Sequence, residues 1–202
     1  MKAKRFDTRR MVLLAMLSGI LMVMSFTPLG YLNIGPLAIS LNMIPVAIGA
    51  VALGPGGGAF LGAVFGITSC LQCVGIGGTS YMGMILFEIN PILTILQRLI
   101  PRVLAGFLTG IVYQGLHKLK FRYAAYVAGF CAALFNTVFF MAALVLLFGQ
   151  TEYLQELIAG RNILVFMVTF VGINAVVELF AATVAAGAVC SALEKRNKIG
   201  GK

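Results

Sequence analysis

The sequence predicts an all-α membrane protein, a single bundle of six transmembrane helices with both termini cytoplasmic. Three observations carry that expectation. Hydrophobic residues make up 60% of the 202-residue chain and mean hydropathy is +1.01, well above the roughly 45–50% apolar content of a soluble domain. The apolar residues gather into six long runs, each near the roughly 20 residues that cross a hydrocarbon core. The alternating segments of about ten residues that build a membrane barrel are absent. Twelve of the fifteen Lys and Arg residues lie in three places: the arm 1–10, HKLKFR at 117–122 and the tail 194–202. Six crossings put all three on one side, and the excess of basic residues marks that side as cytoplasmic.

The elements follow in order, as one membrane domain over 1–202. The basic arm leads into helix 1, 11–27, stopped by Pro28. That apolar run follows basic residues as a signal peptide would, but it has no small-residue cleavage site and is expected to be retained. Ala15 and Gly19 on it form a small-xxx-small pair, which lets another helix approach closely in lipid. The charge-free loop 28–40 holds Tyr31 and Asn33, and its length marks it as a lid or binding element. Helix 2 is short, 41–53, with Pro45 near its start, and GPGGG at 54–58 reverses the chain. Helix 3, 59–74, carries Gly62 and Gly66 as a second close-packing face. The glycine-rich stretch 75–90 reads as a partly re-entrant outer loop. Helix 4 runs to about 116, helix 5 covers 123–148, and 149–162 forms a loop with a short surface helix. Helix 6 covers 163–193, ahead of the basic, solvated tail.

One run needs a special explanation. NPILTILQRLIPRVLAGFLTGIVY at 90–113 carries Arg98 and Arg102 one helical turn apart. A charge deep in a bilayer costs at least about 2.5–3.5 kcal/mol, so it rarely faces lipid. The two arginines share one helix face, and other polar residues fall near them by depth. Gln72 ends helix 3 and Asn42 begins helix 2 on the outer side; Asn136 and Asn174 lie near mid-membrane, with Glu178 a turn deeper. Together with Asn33 of the loop, these eight residues are the expected lining of an outward-opening pocket. A guanidinium fork pairs with a carboxylate or phosphate, and side-chain amides match amides and hydroxyls. The bland alternative pairs the arginines with Glu178 or Glu88 and leaves the asparagines joining helices.

Other motifs carry less. GPGGG has no Gly-Lys-Ser/Thr after it and is no phosphate loop. Cys70 and Cys73 form a CxxC with no further ligands nearby, and the lone His117 lies at the other side. A packed thiol pair is the expectation rather than a metal site. No nucleophile–base pair appears, so no enzyme, cofactor, metal or nucleic-acid partner is expected.

The chain resembles the substrate-binding S-component of an energy-coupling factor (ECF) vitamin transporter. The likeness covers nearly the full length. It rests on the Ala15/Gly19 face and the loop after it, on IPVAIGAVALGPGGGAFLGAVFGITS at 44–69 and on PRVLAGFLTGIVY at 101–113. The resemblance implies a six-helix bundle in the bacterial plasma membrane that binds one vitamin near its outer face. It further implies docking through small residues of helix 1, here Ala15 and Gly19, onto a transmembrane coupling subunit driven by two cytoplasmic ATPases. The component would then topple in the lipid and carry its ligand inward. A glycine stands where alanine is usual in the family, which only lowers bulk. SLNMIPVAIGAVALGP and FNTVFFMAALVLLFG are most similar to pantothenate-type members. Riboflavin-type members share asparagines like Asn136 and Asn174 but add a lysine where this chain has Val177, which argues against riboflavin. Folate and other vitamins stay open. So does a self-sufficient secondary transporter, which would need inverted repeats and a coupling carboxylate, with Glu178 alone to serve.

Overall fold

The computed structural model describes residues 8–27, 30–33, 38–77, 80–160 and 162–199. Its order is α1 (Thr8–Phe26), a hairpin of β1 (Tyr31–Asn33) and β2 (Ala38–Ser40), α2 (Met43–Leu53), α3 (Pro55–Cys73), α4 (Tyr81–Ile89), α5 (Pro91–Lys118), α6 (Ala124–Phe148), α7 (Glu152–Ile158) and α8 (Ile163–Ile199). Among the described residues, α1, α3, α5, α6 and residues 174–192 of α8 are long and apolar enough to cross a membrane. Their outer faces carry bare side chains such as Met16, Val23, Ile92, Leu146 and Phe180. Such faces would drive aggregation in water; in lipid they meet a matching solvent. The chain is a multi-pass helical membrane protein.

The second apolar run forms the short helix expected of it. Helix α2 has 11 residues and rises about 16 Å, roughly half of a hydrocarbon core. Its end is level with the start of α1, because Arg10 Nη2 donates to the Leu53 carbonyl at 2.8 Å. The antiparallel hairpin that precedes α2 packs against α8, in the register Tyr31↔Ser40, Leu32↔Ile39 and Asn33↔Ala38. Its base closes where the Leu41 N–H donates to the Gly30 carbonyl at 3.0 Å. The expected lid loop is thus a hairpin let into the bundle, as non-helical backbone can be where protein covers it or it lines a cavity.

The pairing of α3 with α5 positions the charged residues. Gly58, Gly62 and Gly66 recur every four residues, on one helix face. A Cβ on Gly58 would strike the Gly106 carbonyl, one on Gly62 the Arg102 carbonyl, and one on Gly66 the Leu99 side chain and backbone. Three missing side chains let the two backbones touch, as small-residue faces do in lipid. That contact holds the arginine turn of α5 against the interior. Asn90 starts α5 by accepting the Leu93 N–H at 3.1 Å, and Pro91 fills the first helical position, where its missing N–H costs nothing.

Several expected boundaries move. GPGGG is not a five-residue turn: Gly54 alone turns the chain, at φ 82°, a left-handed conformation that glycine adopts freely. Pro55 begins α3, and Gly58 is needed small for the contact with α5. The stretch expected as a partly re-entrant loop contains α4, which buries Met82, Gly83 and Leu86. A short helix stands at α7 as expected, with Thr151 accepting the Leu154 N–H at 3.4 Å. Helix α8 continues to Ile199, beyond the expected end at 193.

Two apolar clusters flank the site. One joins α1, α2, α3 and α6 through Leu21, Val46, Leu61, Phe65 and Ala132. The other joins α4, α6, α7 and the start of α8 through Leu86, Leu144, Phe148, Leu154 and Phe166. Phe65 of the first and Met82 and Met141 of the second both line the polar cavity between them.

Candidate functional site

The cavity has a volume of about 440 Å³, within the roughly 300–1,000 Å³ of small-molecule sites. It is walled by the end of α1, the hairpin, α3, α4, α5, α6 and α8. Its chemistry is concentrated on α5. Arg98 and Arg102 are 6% and 5% exposed, so both charges are out of bulk solvent. Arg98 Nη1 donates to Ser69 Oγ at 3.4 Å and Nη2 to Ser80 Oγ at 3.2 Å. Arg102 Nη1 donates to the Arg98 carbonyl at 2.6 Å. The Nε of each has no hydrogen-bond partner.

Aromatic faces bracket these cations. The Arg102 guanidinium lies 4.5 Å from the Phe65 ring centre and 5.4 Å from that of Phe140, and Arg98 lies 5.3 Å from Phe140. Ring faces attract cations at such distances without using any N–H donor in plane. Each guanidinium has five donors, so three described bonds leave most of them free for an anion. Among the described residues neither arginine forms an ion pair with a carboxylate. The direct ion pair with Glu178 or Glu88 that the alternative reading requires is therefore not found among the described residues; Glu178 instead faces the same cavity.

Across the cavity, α6 contributes Asn136, Thr137, Phe140 and Met141, and α8 contributes Val171, Asn174 and Glu178. The Asn136 Oδ1 is buried without a hydrogen-bond partner. Glu178 Oε1 accepts the Ser40 backbone N–H at 2.6 Å, which ties the hairpin to α8. The expected depth order put Glu178 well below the outer loop. The two meet because the hairpin packs against α8. Tyr31, on the hairpin, also lines the cavity.

Six of the eight expected pocket residues therefore meet at one cavity: Gln72, Arg98, Arg102, Asn136, Asn174 and Glu178. Gln72 spends its Nε2 on the Ser25 carbonyl, 2.6 Å away, and so also ties α1 to α3. Asn42 is fully buried but does not line the cavity; it stands under Gly30, whose Cβ would meet its Oδ1. The Asn33 side chain lies outside the described residues. Ser25, Ser40, Ser80 and the two phenylalanines were not singled out from the sequence. Ser80 and Phe140 carry no unusual local pattern, and only the partners across the cavity give them a role.

Away from the cavity, Ala15 and Gly19 are exposed on the face of α1 opposite buried Leu17 and Leu21. A Cβ on Gly19 would meet nothing within 4 Å. Cys70 and Cys73 are free thiols, and Cys73 donates to the Ser69 carbonyl at 3.3 Å. His117 stacks on Tyr113 with ring centres 5.5 Å apart.

A helical membrane bundle with a buried, cation-lined cavity defines a solute-binding membrane protein. The model of the family described as "ECF transporter, substrate-specific component" matches residues 9–189, and the chain belongs to that family. It is 26% identical over 195 residues to a pantothenate transporter PanT of Leuconostoc mesenteroides, covering 92% of each chain. It is 27% identical over 174 residues to a pantothenic acid transporter PanT of Lactococcus lactis, covering 79% of this chain and 86% of the relative.

Proposed function

We propose that this protein is the pantothenate-binding component of an ECF importer of the bacterial plasma membrane. It captures the vitamin from the outer side, with six membrane-crossing segments and both termini in the cytoplasm. The observation that carries the reading is a pair of buried guanidiniums, without a carboxylate ion-pair partner among the described residues, in a cavity of ligand size. Pantothenate has a carboxylate at one end, an amide in the middle and hydroxyls at the other. The carboxylate belongs at Arg98 and Arg102, beside the Phe65 and Phe140 rings, and the amide against Asn136 and Asn174. The names of the two relatives support this choice of solute.

Ala15 and Gly19 offer a bare small-residue face on the lipid side of α1, suited to close approach by another membrane helix. In this reading they dock onto the transmembrane coupling subunit, two cytoplasmic ATPases supply the energy, and toppling of the bundle carries the ligand inward. Calorimetry on the purified protein tests the solute: saturable pantothenate binding is expected, and its absence overturns the assignment. Uptake into proteoliposomes tests the mechanism. Transport is expected only with coupling subunit, ATPases and ATP together, and uptake by the lone chain under a proton gradient would replace this reading with a secondary transporter.

A further inference from the structure

The cavity is polar in a directional way. Helix α6 packs against both α5 and α8, so the lining runs from the guanidiniums of α5, past the Asn136 amide of α6, to the Asn174 amide and the Glu178 carboxylate of α8. One end is cationic, the middle neutral and the far end anionic. Among the described residues, two arginines and one glutamate are the charged groups lining it, a formal net charge of +1 with the glutamate ionised, which a monoanion balances. At the far end, one Glu178 oxygen already accepts the Ser40 N–H at 2.6 Å. A carboxylate only accepts hydrogen bonds and has capacity left on its second oxygen.

We propose that Glu178 is a specificity-determining residue that selects a neutral hydroxyl at the end of the ligand remote from its carboxylate and rejects a phosphate there. This rests on the reading above, with the ligand's own carboxylate at Arg98 and Arg102. A hydroxyl donates to Glu178. Its phosphate monoester carries no comparable donor and at pH 8 brings about −2 of charge against the Glu178 carboxylate, in a setting where screening by water is weak. The same repulsion acts on the group that anchors the hairpin through Ser40, so a phosphate there also loosens the wall nearest to it. The arginines cannot relieve it while they hold the carboxylate at the other end.

Calorimetry at pH 8 with pantothenate and its 4′-phosphate ester tests this on the intact protein. The ester is expected to bind wild type at least about 100-fold more weakly than pantothenate, and Glu178→Gln, which keeps an acceptor for the Ser40 N–H, is expected to narrow that ratio by about tenfold or more. A ratio unchanged in Glu178→Gln, or an ester that binds wild type as well as pantothenate, overturns the proposal. Wild type alone supplies a second readout should the variant fold poorly. Pantothenate lacking the 4′-hydroxyl should bind about tenfold more weakly, as expected for a lost bond to a charged acceptor; equal binding removes Glu178 from the role. Failure of wild type to bind any of the three compounds instead overturns the pantothenate reading itself, and the selection proposal falls with it.

Discussion

Replacing Arg98 by methionine separates a ligand-holding charge from a structural one. The side chain keeps a similar length while the charge is lost. In the ligand-free protein Arg98 and Arg102 stand four residues apart on one helix, about 6 Å, and like charges at that separation repel by roughly 3 kcal/mol at an effective dielectric of about 20. Against that stand the bonds from Arg98 to Ser69 and Ser80 at 3.4 and 3.2 Å and its position over Phe140. Hydrogen bonds to a charged group are worth about 1.5–3 kcal/mol and the ring contact roughly 0.5–2 kcal/mol. The two bonds and the ring contact total about 3.5–8 kcal/mol, which the repulsion together with the several kcal/mol of burying the ion largely offsets. The ligand-free melting temperature of Arg98→Met is therefore expected within about 4 °C of wild type. Binding should behave differently, because the fork to the ligand carboxylate is lost. That removes about 1.5–3 kcal/mol, between about tenfold and about 150-fold in Kd, read by calorimetry with pantothenate. A structural arginine would do the reverse: truncating a buried pair costs roughly 3–5 kcal/mol, so melting would collapse. Affinity within about twofold of wild type, in a variant that melts normally, refutes the reasoning.

Three further outcomes follow from the same geometry. Gly62→Leu drives a side chain into the Arg102 carbonyl and should destabilise the detergent-solubilised protein by about 1–3 kcal/mol, as overpacking does, with loss of binding because the arginine turn shifts. Normal melting and normal affinity would show that the contact between α3 and α5 does not set the site. Asn136→Leu removes a buried acceptor without a protein partner, so it should spare stability yet weaken pantothenate by about two- to tenfold, the worth of a neutral hydrogen bond; unchanged affinity would take Asn136 out of the ligand's reach. Ala15→Trp adds bulk to an exposed face of α1, and is expected to leave binding intact while abolishing uptake in proteoliposomes carrying the coupling subunit and ATPases. Full uptake would remove Ala15 from the docking surface.

The cationic core of the site was legible because lipid leaves charges so few places to go. Arg98 and Arg102 had to face inward, and Gln72, Asn136, Asn174 and Glu178 were subject to the same constraint. Asn42 met that constraint as well, yet burial beside Gly30 satisfies it as fully as a cavity does, and one-dimensional spacing does not separate the two. The shortness of α2 was also visible. Where the loop before it goes was not, because the answer is a tertiary one: the hairpin packs against α8, its Ser40 N–H donating to Glu178. GPGGG was misread for a related reason. Turn propensity is a local property, whereas the smallness of Gly58 serves a backbone on another helix.

The central claim is that two buried guanidiniums stand without a direct carboxylate partner among the described residues so that a solute can supply one. Comparing pantothenate with its neutral carboxamide on the wild-type protein tests it with no mutation at all. The account predicts that the carboxamide binds about 100-fold more weakly, the loss of two charge-assisted bonds offset in part by the weaker ones an amide oxygen accepts. Equal affinity for the acid and the amide would contradict it.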